Sequence, residues 1–200
     1  MRFVRTLAAS AAAMALALPA FAHDVVYVAT LTGAAEAPPN ASGGLGAVVV
    51  TFNDDTFMMR VQTTFAGLIG NVTASHIHCC TAVAGTGTAG VATQVPTFPG
   101  FPLGNTFGSY DQTFNLSLAS SWNPAYITAN GGTVANAFAA FSTGLNAGKA
   151  YFNIHTTFAP GGEIRGFLTA APVPEPESYA LMLAGLAVVG GIAARRRAAA

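Results

Sequence analysis

Between residues 24 and 171 the chain alternates short runs rich in Val, Ile, Thr, Phe and Tyr with clusters of Gly, Pro, Asn and Asp. Runs of this kind predict strands, and the clusters between them predict turns. The runs that predict strands are 25–31, 48–52, 56–65, 72–78, 91–95, 110–118, 151–157 and 163–169. Because many short strands at such spacing are typical of antiparallel sandwiches and barrels, the pattern predicts an all-β fold, an antiparallel β-sandwich.

One stretch in the second half of this region has helical periodicity instead. Asn123-Pro124 is typical of a helix N-cap followed by the first helical position, so it predicts a short helix that ends near residue 130. Apolar residues then recur at helical spacing over 134–146. We therefore expect a short helical insertion in the β-fold, with a long Gly- and Pro-rich loop over 81–108 before it.

The first 22 residues predict a secretory signal peptide. Arg2 and Arg5 form a basic start, residues 7–18 are apolar, and Ala20-Phe21-Ala22 has the small-x-small pattern of a cleavage site. The mature chain is then expected to begin at His23. Its fold must be read from the residues that follow.

The C-terminal residues 172–200 have three parts in a fixed order. Val173-Pro174-Glu175-Pro176 is followed by an apolar run over 179–194 and then by a basic stop, which consists of Arg195, Arg196 and Arg197. The run is short for a membrane span of roughly 20 residues. By the positive-inside rule the arginines should stay in the cytoplasm, so the body of the protein would lie outside the inner membrane.

This segment resembles the PEP-CTERM sorting signal of Gram-negative bacteria, with its motif at 173–176 and a transmembrane run after it. The resemblance implies processing by an exosortase and transient passage through the inner membrane by the C-terminal run. It also implies delivery to the periplasm, the cell surface or the extracellular exopolysaccharide matrix of a biofilm. The alternative is a plain C-terminal membrane anchor.

The segment 23–171 has the size of one domain. It contains three basic and six acidic side chains, hence a net charge of −3, although the whole chain has a net charge of zero. A nucleic-acid binder needs a basic surface, and this domain lacks one. The charge pattern therefore argues against nucleic acid as a partner.

The two cysteines of the chain, Cys79 and Cys80, are adjacent, so they cannot form a long-range disulfide framework. In an oxidising compartment such a pair can close a local disulfide, form a bridge to another chain or remain as thiols. Free thiolates beside His76 or His78 could also bind a soft metal. A local disulfide that stiffens a loop is the reading that we favour.

Candidate chemistry lies in three short strand segments. Residues two apart on a strand point to the same face, so the two imidazoles of His76-Ile77-His78 should project together while Ile77 enters the core. The same rule applies to residues 153 and 155, and to residues 163 and 165. If the three strands are neighbours, one face would gather His76, His78, Asn153, His155, Glu163 and Arg165.

Four phrases of the sequence together resemble the CHRD (chordin-type) domain: residues 31–39, 74–78, 151–156 and 161–166. The resemblance covers about residues 25–168. It implies an all-β, immunoglobulin-like module without an established catalytic role. The residues that carry the late part of the family motif are Asn153, His155, Gly162, Glu163, Arg165 and Gly166.

Two interpretations of the histidine face remain open. It can be a hydrogen-bonded polar ladder that fixes the strand register. It can also be a zinc or copper site formed by three neutral imidazoles and one carboxylate, namely His76, His78, His155 and Glu163.

No arrangement typical of a hydrolase appears, so no catalytic residue is predicted. The leading functional prediction is a non-enzymatic binding or structural role in the envelope or matrix, through exopolysaccharide or surface proteins. Such a role predicts an exposed groove formed by Tyr110, Trp122 and Tyr126. The competing prediction is a metal-binding or metal-dependent redox protein that uses the histidine face.

Overall fold

The computed structural model describes residues 24–172, 182–183, 185–186, 189–190 and 196–197. The predicted signal peptide and most of the predicted sorting signal, including the motif at 173–176, lie outside these residues. Within the described part of the chain, no helix has both the length and the apolar character needed to cross a membrane.

The described domain consists of eight strands and two α-helices. The first five strands are β1 (Asp24–Thr32), β2 (Leu45–Asn53), β3 (Met58–Ala66), β4 (Val72–His78) and β5 (Gly108–Asn115). Two helices follow, α1 (Pro124–Ala129) and α2 (Val134–Asn146). The last three strands are β6 (Tyr151–Thr156), β7 (Ile164–Phe167) and β8 (Thr169–Ala170).

The strands form one curled antiparallel sheet in the order β4-β6-β7-β1-β2-β3-β5, and β8 pairs with β1. The predicted class, all-β and antiparallel with a short helical insertion, is therefore confirmed, and the curl of the sheet makes it sandwich-like. The insertion lies between β5 and β6, where Asn123 caps α1 and Thr133 caps α2.

The run at 91–95 forms two isolated bridges, His78 to Val91 and Thr93 to Trp122, instead of the predicted strand. This segment runs along the free edge of β4, where the Ala92 amide donates to the Ile77 carbonyl at 2.9 Å. Pro96 lacks an N–H and cannot continue a ladder of backbone hydrogen bonds, which explains why regular pairing stops there. The edge of β4 is thus covered by a loop.

The hydrophobic core lies between the sheet and the helical insertion. Phe52 of β2 stacks on Phe138 of α2 with ring centroids 5.4 Å apart, and Trp122 meets Phe141 edge-on at 5.3 Å. Ile77 of β4 and Phe152 of β6 are completely buried members of the same core. By strand alternation, the histidines of β4 and β6 lie on the opposite face, and the loop after β4 folds over that face.

Candidate metal centre

The register of β4, β6 and β7 places most of the candidate residues on one face. His76 pairs with Asn153 across β4 and β6, and Asn153 pairs with Arg165 across β6 and β7. On the same β4–β6 pair, His155 lies opposite Ala74, one step along the face from His76. His76 and His155 are thus diagonal neighbours with Cα or Cβ atoms roughly 7–8 Å apart, a distance that their long side chains can bridge.

The three imidazoles form a compact group. Their potential ligand nitrogens all lie within 4.8 Å of one another, and the Nε2 atoms of His78 and His155 are 3.4 Å apart. In the described part of the chain, His76, His78 and His155 are the group of His, Cys, Asp or Glu residues with this geometry. His76 and His78 are buried, and His155 is partly exposed.

Each imidazole donates a hydrogen bond to a backbone carbonyl through one of its two nitrogens. The bonds are His76 Nε2 to Pro96 O at 2.6 Å, His78 Nδ1 to Ala89 O at 2.9 Å, and His155 Nδ1 to Pro160 O at 2.9 Å. A carbonyl can only accept, so the bonded nitrogen carries the hydrogen. In a neutral imidazole the other nitrogen then presents a lone pair, which is the tautomer required of a metal ligand.

The protein environment favours the neutral form of all three rings. Burial lowers the pKa of His76 and of His78 to about 4, although the carbonyl bonds act in the opposite direction. Burial also lowers the pKa of His155. All three imidazoles are therefore neutral near pH 7.

The inward nitrogens of this group have no donor among the described residues to satisfy them. His76 Nδ1 is buried without a hydrogen-bond partner. The Nε2 atoms of His78 and His155 face each other at 3.4 Å with a lone pair on each, because both Nδ1 atoms already hold the hydrogen. Two imidazoles on one tetrahedral zinc, with Zn–N bonds of 2.0–2.1 Å, have their nitrogens about 3.3 Å apart.

Glu163, which we expected as a possible fourth ligand, lies outside this group. Its Oε1 accepts from Ser42 Oγ and the Ile69 amide, both at 2.6 Å. Its Oε2 accepts from the Gly70 amide at 3.0 Å and from Thr156 Oγ1 at 2.6 Å. Burial alone would raise the pKa of Glu163, but these hydrogen bonds lower it. The carboxylate thus links two loops, which contain Ser42 and Ile69-Gly70, to Thr156 at the end of β6.

Arg165 forms a second buried polar group with Glu36, a residue that sequence reasoning did not single out. The guanidinium donates to the Ala35 carbonyl and to the Gly87 carbonyl, and Nε lies 3.7 Å from Glu36 Oε2. Burial raises the pKa of Glu36 to about 7, and the Arg165 charge opposes this rise. The signal that could have found Glu36 is its position in the family-like phrase at 31–39.

Two glycines of the family motif are explained by close packing. A Cβ on Gly162 would lie 2.6 Å from Glu36 Oε1 and against the Asn153 amide, and Gly162 has a positive φ of 136°. A Cβ on Gly166 would overlap the Thr30 carbonyl of β1. The turn at Gly162 comes just before β7, so strand alternation does not extend to Glu163 and its side chain leaves the histidine face.

The structure joins Cys79 and Cys80 in a disulfide. Cys80 Sγ lies 3.7 Å from the Ala140 carbonyl of α2 and 3.7 Å from the Tyr126 hydroxyl, so the pair packs against the helical insertion. The two sulfurs are not part of the histidine group. This arrangement corresponds to the local disulfide that we favoured over a thiolate metal site.

The predicted aromatic groove was wrong. Tyr110, Trp122 and Tyr126 are all buried, with at most 7% of each residue exposed. Trp122 Nε1 donates to the Leu116 carbonyl at 2.9 Å, so the indole is satisfied inside the domain. Trp122 and Tyr126 stack on each other at the helical insertion, whereas Tyr110 packs against Phe98 and Phe101 of the long loop, so the three rings do not form a surface groove.

Comparison with known proteins gives two family matches. The model of the PEP-CTERM protein-sorting motif matches residues 172–197. This motif indicates export across the inner membrane to the cell envelope or surface and processing by an exosortase. No curated protein and no solved structure gives a significant match.

The second family model is that of the CHRD domain, and it matches residues 27–168. The match begins in β1 and ends just before β8, so it includes all three histidines, Glu163 and Arg165. The resemblance of the sequence phrases to this family is therefore confirmed. The chain belongs to the CHRD domain family.

Proposed function

We propose that this exported CHRD-domain protein binds a transition-metal ion through His76, His78 and His155. The observation that carries the proposal is that His76, His78 and His155 each offer a ring nitrogen, and that these three atoms lie within 4.8 Å of one another. Zinc and copper are the ions that best suit imidazole ligands. The sorting motif delivers the domain outside the inner membrane, so the ion would be bound there.

The outer hydrogen bonds support this function over a simple polar ladder. In a ladder, each inward nitrogen should find a donor among its neighbours. Here the carbonyls of Pro96, Ala89 and Pro160 fix the hydrogen on the outward nitrogen of each ring. A metal ion between the rings would satisfy the inward lone pairs together, whereas burial disfavours an extra proton on any of the rings.

The same carbonyls match the usual surroundings of metal-ligating histidines. Such histidines donate their second ring nitrogen to a carbonyl or carboxylate, which fixes the ring orientation and increases its basicity as a ligand. Two of the three carbonyls, those of Ala89 and Pro96, belong to the loop that covers the face. The loop is therefore part of the proposed site.

A non-enzymatic binding or structural role in the envelope or exopolysaccharide matrix stays a prediction, as does redox chemistry at a bound copper ion. The burial of Trp122 and its neighbours removes the surface on which we expected matrix contacts. The metal function is the one that the geometry of the described residues supports best.

Metal content of the exported protein tests the proposal. We expect close to one zinc or copper ion per chain by mass spectrometry, and its loss in the His76→Ala/His155→Ala double variant. Thr73→Ala is a matched control, because Thr73 lies exposed on the same strand as His76. Absence of metal from a folded wild-type protein, even after incubation with both ions, would contradict the proposal.

A further inference from the structure

The three-histidine group provides three ligands and no negative charge. We propose that a metal ion bound there takes a small, exchangeable inorganic anion as its fourth ligand. This inference rests on the proposed metal function and deepens it, since it names the class of ligand that the site would take from solution.

The candidate protein ligands near the group are engaged elsewhere. Glu163 accepts four hydrogen bonds, two on each oxygen, from Ser42, Ile69, Gly70 and Thr156. Glu36 is paired with Arg165. Cys79 and Cys80 are joined in a disulfide on the side of the helical insertion.

The set of ligands therefore corresponds to an open site. Structural zinc sites are closed by four protein ligands, whereas catalytic zinc sites have three protein ligands and a fourth position for a solvent-derived or substrate ligand. In the described part of the chain, the group whose potential ligand atoms lie within 4.8 Å of one another consists of three residues, His76, His78 and His155.

Charge selects an anion for that position. Neutral imidazoles leave the charge of a divalent ion uncompensated, and burying an unpaired charge is costly. The group contains no carboxylate, since Glu36 lies beside Arg165 and Glu163 is held by four hydrogen bonds elsewhere. Nothing in this set neutralises a bound cation, so an anion from solution would be the group that does.

The exposure of the three residues gives the route by which the anion would enter. His76 and His78 are 6% and 8% exposed, whereas His155 is partly exposed. The turn that follows β6 carries the carbonyl bonded to His155, and its residues Pro160 and Gly161 are exposed. Solvent thus reaches the group at its partly exposed member, His155, beside this turn, and an anion would enter from that side.

The experiment uses the exported protein, stripped with a chelator and reloaded with one equivalent of Co²⁺. The visible absorption of Co²⁺ in a tetrahedral site changes when one of its ligands is exchanged, so azide is a suitable probe. We expect a saturable change in the Co²⁺ bands as azide is added, in the wild type and equally in Thr73→Ala.

Two results separate this inference from the proposed metal function. Stoichiometric Co²⁺ binding with bands that do not respond to azide would overturn the inference and leave the metal function in place. Failure of the folded protein to take up Co²⁺ or zinc would overturn both.

An Asn153→Asp variant tests the charge argument. Asn153 lies opposite His76 in the β4–β6 pair and is 2% exposed. A buried carboxylate there would partly compensate the metal charge, so azide affinity should fall by at least about tenfold. If the variant still binds Co²⁺ and its azide affinity is unchanged, the missing negative charge does not select the anion. If the Co²⁺ spectrum of the wild type does not respond to azide, the inference is wrong, however this variant folds.

Discussion

His78 and His155 turn their Nε2 atoms toward each other at 3.4 Å from neighbouring strands, and both rings donate a hydrogen bond from Nδ1 to a backbone carbonyl. This relationship follows from the two-residue period of β4 and β6 together with the loop and turn that supply the carbonyls. It fixes which nitrogen of each ring is free. Two free lone pairs at this distance are what an imidazole-binding metal ion requires.

The metal-free protein should become less stable as the pH falls from about 6.5 to about 4. In the folded state burial lowers the pKa of His76 and His78 to about 4, whereas an unfolded histidine has its ordinary value near 6.5. The unfolded chain therefore binds more protons in this range, and the free energy of unfolding decreases with falling pH. Urea denaturation of chelator-treated protein at a series of pH values measures this.

A His76→Gln/His78→Gln variant is the control for that series. It removes two of the three imidazoles whose pKa is lowered by burial, so its free energy of unfolding should depend less on pH between 6.5 and 4. An equally steep dependence in the variant would show that other groups are responsible.

Glu36→Gln should flatten a second pH dependence, at higher pH. Burial raises the pKa of Glu36 to about 7, above its ordinary value of 4.5. The stability that this group contributes is complete below pH 4.5 and is lost as the pH rises through 7. We expect the wild type to lose stability between pH 6 and 8, and Glu36→Gln to lose less.

Asp111→Asn is the matched control for the Glu36 experiment, because Asp111 is an exposed carboxylate whose pKa is lowered by hydrogen bonds from Arg60. It is ionised throughout the range from pH 6 to 8. In Asp111→Asn the free energy of unfolding should depend on pH as steeply as in the wild type. If Glu36→Gln also has the wild-type dependence, Glu36 is not the group that titrates.

Gly166→Ala should destabilise the domain by about 2 kcal/mol, the middle of the range for forcing extra volume into a packed site. A Cβ there would overlap the Thr30 carbonyl of β1, which is backbone and cannot rotate away. Gly161→Ala, in the same family phrase, has no atom within 4 Å of the added Cβ and should be close to neutral. Chemical denaturation of the two variants side by side measures the contrast, and equal stabilities would mean that strand packing does not explain the glycine.

Glu163→Gln should destabilise the fold by about 2–4 kcal/mol and leave the metal content unchanged. The substitution replaces one of the two acceptor oxygens by an NH₂ group, which then faces two hydrogen-bond donors, one of them the amide of Ile69 or of Gly70. Denaturation and metal analysis of the same preparation separate the two effects. Loss of the metal from a folded Glu163→Gln protein would make Glu163 a ligand after all.

The sequence was sufficient to predict most of the elements and the face that the histidines share. The two-residue period of residues 76–78 and 153–155 places the imidazoles on the same side of their strands, and the capping residue Asn123 marks the start of α1. These are local signals, and the structure reproduces the helix at 134–146 as predicted. The confirmed family and sorting motif likewise rest on short contiguous phrases.

The remaining features depend on contacts between distant segments. The carbonyls of Ala89 and Pro96 accept hydrogen bonds from the histidines, and they belong to a long Gly- and Pro-rich loop whose path the sequence does not predict. The turn at Gly162 redirects Glu163, which strand alternation alone would place with the histidines. A tryptophan suits an exposed binding groove as well as a buried core, so the sequence alone does not distinguish the two at Trp122. The packing of the helical insertion decides between them.

X-ray absorption at the edge of the bound metal in the exported protein shows directly whether His76, His78 and His155 are its ligands. We expect three imidazole nitrogens at roughly 2.0–2.1 Å from the ion, together with a fourth ligand that is not an imidazole. A sulfur neighbour at roughly 2.3 Å, or fewer than two imidazoles, would contradict the assignment of His76, His78 and His155 as the metal ligands.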